Sequence, residues 1–211
     1  MRRVVKPAAF LAALVPAILL VRDTFTGNLG ANPVETITHR TGFAAITLLM
    51  VTLAITPASR LLRTPSLVTL RRMLGLYAFA YALLHFLTYL ADQTLFAGTG
   101  LSLGLVAEDV AKRPYVTVGF ATFLLLVPLA VTSTGGWVKR LGAKRWRALH
   151  RLVYVAAAGA VLHFLWLVKA DTLVPIVFGA VLVLLLGARV AWRRTERRAE
   201  RGRASISAAP G

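Results

Sequence analysis

Long apolar runs separated by short polar segments dominate this chain. Crossing a hydrocarbon core of about 30 Å takes roughly 20 mostly apolar residues in an α-helix. Six stretches approach that length: residues 7–21, 42–57, 73–91, 114–132, 150–168 and 172–191. The pattern therefore predicts an all-α integral membrane protein, a bundle of six transmembrane helices.

The first of these stretches is the weakest, because it is short and contains Pro16. Its basic start at Arg2 and Arg3, followed by an apolar run, is also typical of a signal peptide. No convincing cleavage site of the A-x-A type follows it. We therefore interpret this stretch as a transmembrane span.

The distribution of charge supports this segmentation independently. The chain carries 25 Lys and Arg against 8 Asp and Glu, a formal net charge of +17, yet 57% of its residues are hydrophobic. Most cations lie before the first span, between the second and third, between the fourth and fifth, and after the sixth. Basic loops are retained in the cytoplasm, so both termini are expected on the cytoplasmic side of a bacterial inner membrane. The long apolar runs argue against nucleic acid as the partner of these cations.

The connections on the outer side, residues 22–41 and 92–113, are the longest. They contain turn residues, have room for short interfacial helices and are natural docking surfaces for a partner. We divide the chain into a transmembrane domain over residues 1–192 and a tail over residues 193–211. The tail is basic and then rich in Ser, Ala, Pro and Gly, which predicts a disordered cytoplasmic segment resting on anionic lipid. We see no internal repeat.

The absence of cysteine narrows the chemistry open to the chain. It excludes disulfides, thiolate-ligated iron–sulfur clusters, a covalent CxxCH haem attachment and a cysteine nucleophile. The sequence also lacks a Gly-rich phosphate loop, a Rossmann signature and a Ser/His/Asp arrangement, so reducing equivalents would come from a quinol or another protein. A metal or cofactor would be held by carboxylate, backbone or one of four histidines: His39, His85, His150 and His163.

Two of these histidines lie inside apolar spans, where ionisable residues are costly and usually functional. At 1.5 Å per residue, His85 stands about 20 Å above Arg72, and His163 stands about 24 Å above Arg147 on a parallel span. Both imidazoles therefore reach the outer half at a similar depth. Two neutral imidazoles facing each other in a helical bundle suit a six-coordinate b-type haem. The alternative is that each imidazole only bonds to a neighbouring helix.

His150 lies about 20 Å below His163 on the same span, near the inner face. A second haem there would lack a second histidine, because Arg72 occupies the matching level, and the two side chains on the fifth span would point about 140° apart. His150 could instead contact a haem propionate, line a quinone or flavin pocket, or be an interfacial residue. His39, at the outer start of the second span, could contact a propionate or quinol, or cap the helix beside Glu35.

A cationic rim is expected at the inner ends of the third and fifth spans, formed by Arg71, Arg72, Lys144, Arg145 and Arg147. These side chains set the topology, and Arg also matches the oxyanions of a haem propionate or an FMN phosphate. A run of small residues over 156–160 either lets helices pack closely or makes room for a flat macrocycle.

Several ordered strings closely resemble one family. They are Asn32-Pro33-Val34-Glu35, His39-Arg40-Thr41-Gly42, Arg71-Arg72-Met73-Leu74-Gly75, Tyr81-Ala82-Leu83-Leu84-His85, Lys112-Arg113-Pro114-Tyr115, Leu149-His150-Arg151-Leu152-Val153-Tyr154 and His163-Phe164-Leu165-Trp166-Leu167-Val168-Lys169. Over about residues 28–172 the chain resembles the MsrQ (YedZ) family, the haem-binding membrane subunits of the MsrPQ methionine-sulfoxide reductase system.

The resemblance implies a ferric-reductase-like transmembrane domain, related to the membrane parts of NADPH oxidases and STEAP reductases, with one or two b-type haems and associated FMN. It implies a non-catalytic subunit that passes electrons from the quinone pool, or from a cytosolic flavin reductase, to a periplasmic molybdopterin subunit. That partner reduces methionine sulfoxide in oxidised periplasmic proteins. The resemblance also implies haem ligation by His85, His150 and His163. Where the oxidase relatives have a fourth haem histidine, this chain has Arg72.

Three other functions fit parts of the pattern. A stand-alone ferric or cupric reductase would use the same buried histidines. A small transporter would also place polar groups at depth, but it would need substrate sites at broken helices, and the six spans contain no carboxylate that could couple a proton. A non-redox scaffold subunit is the third alternative.

Overall fold

The structure, a computed structural model, describes residues 2–96 and 103–207, and the regular elements in these ranges are all helical. The α-helices are α1 (Arg2–Phe25), α2 (Pro33–Leu61), α3 (Leu70–Ala91), α4 (Leu103–Lys112), α5 (Pro114–Val131), α6 (Gly135–Leu149), α7 (Leu152–Leu167) and α8 (Leu173–Ser207). A 3-10 turn (Pro65–Thr69) leads into α3, and a π-helical turn (Asp92–Phe96) follows it.

Five helices in the described ranges are long and apolar enough to cross a membrane: α1, α2, α3, α5 and α8. Helix α7 has only 16 residues, but α6 and α7 form a pair, bent by 43°, that counts as a sixth span if taken together. The prediction of an all-α membrane bundle is confirmed: five helices have the length and composition of a span, and there are six spans if the bent pair counts as one.

Residues 135–149 form helix α6, whereas the sequence predicts a basic loop there. Lys, Arg and Ala are strong helix formers, and this segment is rich in them, so it forms a helix with no buried residue. Gly142 interrupts it with a φ of 75°, a conformation that glycine adopts at little cost. The bend to α7 falls at His150. This residue therefore precedes α7, whereas the sequence predicts that it opens a straight helix over residues 150–168.

Two other segments outside the predicted spans are also helical, α4 and the last part of α8. Helix α4 occupies part of the outer connection over residues 92–113, where short helices are expected, and residues 97–102 lie outside the described ranges. Helix α8 continues to Ser207, whereas the sequence analysis expects disorder from residue 193. The Arg, Glu and Ala residues of this segment favour helix locally. Residues 208–211 of the expected tail lie outside the described part of the chain.

Helix α2 is central to the bundle, since it contacts α1, α3, α7 and α8 and packs most extensively against α3. The other extensive pair is α5 with α7. The main core lies among these helices and consists of Ile46, Leu49, Met50, Leu53, Ala78, Leu126, Ala156, Ala157 and Leu182. Because Ala156 and Ala157 are both 0% exposed, the first part of the small-residue run serves close helix packing.

Helix α1 is held to the bundle by Tyr81 of α3. The Tyr81 hydroxyl donates to the carbonyl of Ala13 (2.8 Å) and accepts from the N–H of Ala17 (3.0 Å). In a regular helix this N–H and this carbonyl bond to each other. The phenol is therefore inserted into the hydrogen-bond ladder of α1, beside Pro16, and α1 packs as a member of the bundle.

Candidate functional site

A large cavity opens at one end of the bundle, which we call the cavity end. Its volume is about 1530 Å³, and residues of α1, α2, α3, α5 and α7 line it. Typical small-molecule pockets measure about 300–1,000 Å³. The cavity is therefore large enough for a macrocycle. His39, His85 and His163 all line it, whereas His150 does not.

His85 on α3 and His163 on α7 lie side by side in this cavity. Their ring centres are 6.1 Å apart and their ring planes cross at 78°. The Nδ1 of His85 lies 2.8 Å from the carbonyl of Thr38, and the Nδ1 of His163 lies 2.7 Å from the carbonyl of Tyr115. A carbonyl only accepts hydrogen bonds, so each Nδ1 carries the proton and each Nε2 keeps its lone pair.

The spacing of the two rings fits one metal ion held between them. A metal–imidazole bond is about 2.0 Å long and a ring nitrogen stands about 1 Å from its ring centre, which together give about 6 Å between two coaxial rings. The donated Nδ1–H bonds are the usual orienting contacts of metal-bound histidine. Two imidazoles with free Nε2 lone pairs, whose ring centres are 6.1 Å apart, therefore match the spacing needed to hold one metal ion between them.

The number of nearby ligands favours a macrocycle over a bare ion. Within the described ranges there is no group of three or more His, Cys, Asp or Glu that could hold a metal. A protein site for a bare transition metal normally supplies three or four such ligands. With only two imidazoles available, the remaining ligands would have to come from the cofactor itself, as the porphyrin nitrogens do in haem.

The cavity walls are largely apolar and partly aromatic. Phe86 and Phe123 line the cavity and stack at 4.8 Å between ring centroids. Phe79, which is not part of the lining, stacks on Phe123 at 5.9 Å. Flat aromatic faces of this kind pack well against other rings. Thr47 also lines the cavity, and its buried hydroxyl has no hydrogen-bond partner in the described part of the chain. The walls thus combine an apolar environment with a hydroxyl available to a ligand.

The rim of the cavity carries charge. Asp23, only 5% exposed, accepts hydrogen bonds from Arg22 (2.8 Å) and from Arg40. Lys169 also lines the rim and is exposed. The charged residues of the lining are balanced: four cations (Arg22, Arg40, Arg113 and Lys169) and four carboxylates (Asp23, Glu35, Asp92 and Asp171). Among the cations, Arg40 and the exposed Lys169 suit acidic groups of a bound cofactor.

A second network ties α4 to the cavity end. Asp109 of α4 accepts a hydrogen bond from the Tyr89 hydroxyl (2.7 Å) and pairs with Arg113 (2.8 Å). Arg113 also donates to the Tyr115 hydroxyl, and this hydrogen bond, helped by the Asp109 carboxylate, raises the pKa of Arg113. Tyr115 is the residue whose carbonyl binds His163. The network therefore links α4 to Tyr115, whose carbonyl is one of the two that bind an imidazole.

His150 lies elsewhere, at the bend between α6 and α7. Its Nε2 is 3.0 Å from the hydroxyl of Thr132, and the Trp146 ring stacks on it at 3.9 Å. Thr132 donates its own hydroxyl proton to the carbonyl of Pro128 (2.6 Å), so it accepts from the Nε2–H of His150. The structure does not bring His150 to the His85–His163 pair. Sequence reasoning missed Thr132 and Trp146, because neither belongs to the fifth span.

The cations of the opposite end are partly buried. Arg71 is half-buried and Arg72 is exposed. Arg189 of α8 donates to the carbonyl of Leu53 (2.9 Å) and to the Tyr154 hydroxyl. The Nε atoms of Arg71 and Arg189 are buried without a hydrogen-bond partner in the described residues. The sequence analysis did not single out Arg189, which lies near the end of the sixth predicted span, residues 172–191.

Comparisons with known proteins were made on the whole chain. The family model described as ferric reductase like transmembrane component matches residues 41–161, more than half of the chain. Three similar relatives are each named protein-methionine-sulfoxide reductase heme-binding subunit MsrQ. The protein of Herminiimonas arsenicoxydans is 50% identical over 190 residues, covering 89% of this chain and 85% of the relative. The protein of Ralstonia nicotianae is 46% identical over 192 residues (90% and 86%), and that of Caulobacter vibrioides is 46% identical over 188 residues (88% and 87%).

The matches to the three relatives extend across His85, His150 and His163, whereas the family model ends at residue 161, before His163. They agree with the all-helical membrane architecture and with a cavity that two histidines share. The chain therefore belongs to the MsrQ family of haem-binding subunits, within the ferric-reductase-like transmembrane proteins.

Proposed function

We propose that this protein is a non-catalytic electron-transfer subunit that carries electrons across the membrane through b-type haem to a methionine-sulfoxide reductase. One observation carries the proposal: two imidazoles, each with Nδ1 on a backbone carbonyl, stand 6.1 Å apart between ring centres in a cavity of about 1530 Å³. When bound there, haem supplies a one-electron carrier whose potential depends on axial ligation and burial.

The residues of the chain would divide the work of holding that group. His85 on α3 and His163 on α7 would each supply one imidazole nitrogen to the iron. The phenylalanines of α3 and α5 exclude water from the cavity walls, which stabilises a neutral group over a charged one. At the rim, Arg40 and Lys169 provide cations for acidic substituents of the macrocycle.

The opposite end is the proposed entry point for electrons. Its candidate residues are His150, Arg71 and Arg72, which would bind a second haem, FMN or a quinone. Arg71 and Arg189 are partly buried, and their Nε atoms have no hydrogen-bond partner among the described residues, which supports an anionic ligand there. The electrons would come from the quinone pool or a cytosolic flavin reductase. The cavity end would face the periplasm of an inner membrane, and a molybdopterin-containing catalytic subunit would accept the electrons there.

Spectroscopy of purified variants tests the proposal. We expect wild-type protein, expressed with ample haem, to show a dithionite-reducible, six-coordinate b-type spectrum. His85→Ala and His163→Ala should lose that spectrum, whereas His39→Ala, in the same cavity but outside the pair, should keep it. His150→Ala should change the spectrum only if a second haem is bound. A colourless wild-type preparation would contradict the proposal, as would loss of the six-coordinate signal in His39→Ala alone.

The match to ferric-reductase-like proteins supports a second candidate function, direct reduction of ferric or cupric complexes. The two functions differ in the acceptor. Dithionite-reduced protein should be reoxidised rapidly by a purified periplasmic methionine-sulfoxide reductase and slowly by ferric citrate. The reverse order of rates would favour the metal reductase.

A further inference from the structure

A short internal repeat surrounds the two imidazoles, although the sequence analysis found none. Gly42-Phe43-Ala44 on α2 corresponds to Gly119-Phe120-Ala121 on α5, and Leu84-His85-Phe86-Leu87 on α3 corresponds to Leu162-His163-Phe164-Leu165 on α7. Glycine and histidine are separated by nearly the same length of chain in both copies. The shared positions are few and far apart, so only their pairing in space makes the repeat evident.

The two copies have the same geometry. Helix α2 packs against α3 and α5 packs against α7, and these are the two most extensive helix pairs. In each pair the imidazole reaches a carbonyl four residues before the glycine: Thr38 before Gly42, and Tyr115 before Gly119. In a helix, that carbonyl already accepts the N–H of the glycine. Its second lone pair can accept the imidazole Nδ1–H. At Thr38 the Thr41 hydroxyl also lies 3.0 Å from the carbonyl, but that hydroxyl makes its shorter contact, 2.7 Å, with the Ile37 carbonyl.

The glycines are required sterically by this arrangement. A Cβ at Gly42 would lie 2.9 Å from Nδ1 and 3.0 Å from Cε1 of His85. A Cβ at Gly119 would lie 2.6 Å from Nδ1 and 2.7 Å from Cε1 of His163. Such distances are shorter than van der Waals contact between carbon atoms, about 3.5–4.0 Å. Any other residue would push the ring away from its carbonyl.

We propose that Gly42 and Gly119 are a matched pair of positioning residues: each lets the facing imidazole bind the carbonyl four residues before it, which fixes the ring plane and turns Nε2 to the haem iron. This inference rests on the proposed bis-histidine haem site. It assigns to each half of the repeat one ligand, one supporting carbonyl and one glycine.

The wild-type protein provides the first test. Ferric haem with near-perpendicular axial imidazoles gives a more anisotropic low-spin EPR spectrum than haem with parallel ones. We therefore expect the strongly anisotropic type from purified, haem-loaded protein. A rhombic spectrum typical of parallel ring planes would overturn the inference while leaving bis-histidine ligation intact. Absence of haem altogether would instead reject the proposed function.

Glycine substitutions provide the second test. Gly119→Ala should weaken haem retention about 10- to 100-fold, the usual cost of disturbing the group that orients a metal ligand. It should also move the remaining signal towards a rhombic or high-spin spectrum and shift the midpoint potential. Gly42→Ala should have the same effects to a smaller degree, because its closest contact is 2.9 Å instead of 2.6 Å.

Two matched glycines on the same helix pairs control for packing damage. Gly75→Ala on α3 meets only the Thr52 methyl, at 3.7 Å, and should be silent. Gly159→Ala on α7 meets the Thr122 hydroxyl at 2.2 Å, so it strains the α5–α7 contact without touching an imidazole. We expect it to lower thermal stability but to keep the wild-type EPR line shape. Equal spectra in wild type, Gly42→Ala and Gly119→Ala would overturn the inference, as would a line-shape change in Gly159→Ala as large as in Gly119→Ala. If Gly119→Ala does not fold, Gly42→Ala and the wild-type spectrum decide.

Discussion

At the scale of single residues, hydrogen bonds decide what each histidine can do. His85 and His163 use Nδ1 for a backbone carbonyl and keep Nε2 for a ligand. His150 uses Nε2 for the Thr132 hydroxyl, so ligation through that atom would require this hydrogen bond to break. These assignments follow from which partner can only accept. Nε2 therefore makes no hydrogen bond to the described residues in His85 and His163 but is engaged in His150, a difference that the sequence does not show.

Tyr81 gives a prediction at this scale. Tyr81→Phe removes a hydroxyl that both donates to Ala13 and accepts from Ala17. We expect a loss of stability of about 1–3 kcal/mol, the usual cost of leaving a buried backbone group unpaired. Thermal unfolding in detergent, followed by circular dichroism, measures it.

Tyr77→Phe is the matched control, because Tyr77 packs edge-on against Phe10 of the same helix α1 and its hydroxyl makes no hydrogen bond in the described residues. We expect it to unfold at the wild-type temperature. If both variants unfold at the wild-type temperature, the Tyr81 hydroxyl does not hold α1.

At the scale of elements, the helices missed by hydropathy are the amphipathic ones. α4 and α6 contain too many polar residues to register as spans, yet both are helical. The physical reason is that helix formation needs only local propensity and one packed face, whereas the span criterion requires an apolar surface all around. The bend between α6 and α7 removes His150 from the straight helix on which its angle to His163 was estimated.

The attachment of α4 gives a prediction at this scale. Asp109→Asn removes the charge that pairs with Arg113 and weakens the hydrogen bond from Tyr89. We expect amide hydrogen exchange over residues 103–112 to become several-fold faster, since α4 would open locally more often. Hydrogen-exchange mass spectrometry of the detergent-solubilised protein measures this.

Glu108→Gln is the control for Asp109→Asn, because it makes the same change of charge one residue away. Its side chain is 54% exposed and, among the described residues, forms an ion pair with Lys112 only, whereas the side chain of Asp109 is 14% exposed. Exposed pairs of this kind contribute little, so exchange should stay at the wild-type rate. If residues 103–112 exchange no faster in Asp109→Asn than in Glu108→Gln, the Asp109 network does not hold α4.

At the scale of the whole molecule, the charge alternation predicts an orientation that labelling can test. The chain has no cysteine, so single introduced cysteines react without background. Asn28→Cys, in the connection between α1 and α2, should react with a membrane-impermeant maleimide in intact spheroplasts. Gly136→Cys, at the start of the basic helix α6, should react only after permeabilisation.

Both positions are exposed, and a Cβ at Gly136 meets nothing within 4 Å, so neither change should disturb the fold. Labelling of Gly136→Cys in intact spheroplasts, with Asn28→Cys protected, would reverse the orientation. Labelling of both from outside would mean that α2, α3 and α5 do not make three crossings between these two positions.

The spans, the membrane class and the pair of buried histidines were all accessible from sequence. They depend on apolar length, on loop charge and on a count of residues along a helix, which are properties of one segment at a time. Helix α6 and the continuation of α8 were missed, because propensity and hydropathy disagree there, whereas a short helix in the connection that contains α4 was expected. The internal repeat was missed because its meaning lies in contacts between helices, not in similarity along the chain.

By itself, therefore, the sequence determined that the chain is a helical membrane protein with two imidazoles at one depth, because helix rise and bilayer thickness convert residue number into height. Only the tertiary structure decided which nitrogen of each imidazole is free, how far apart the rings stand and why glycine occupies positions 42 and 119. Those features depend on the rotation of each helix about its axis and on which helix it packs against. Contacts between distant segments set both of these, and no local pattern contains them.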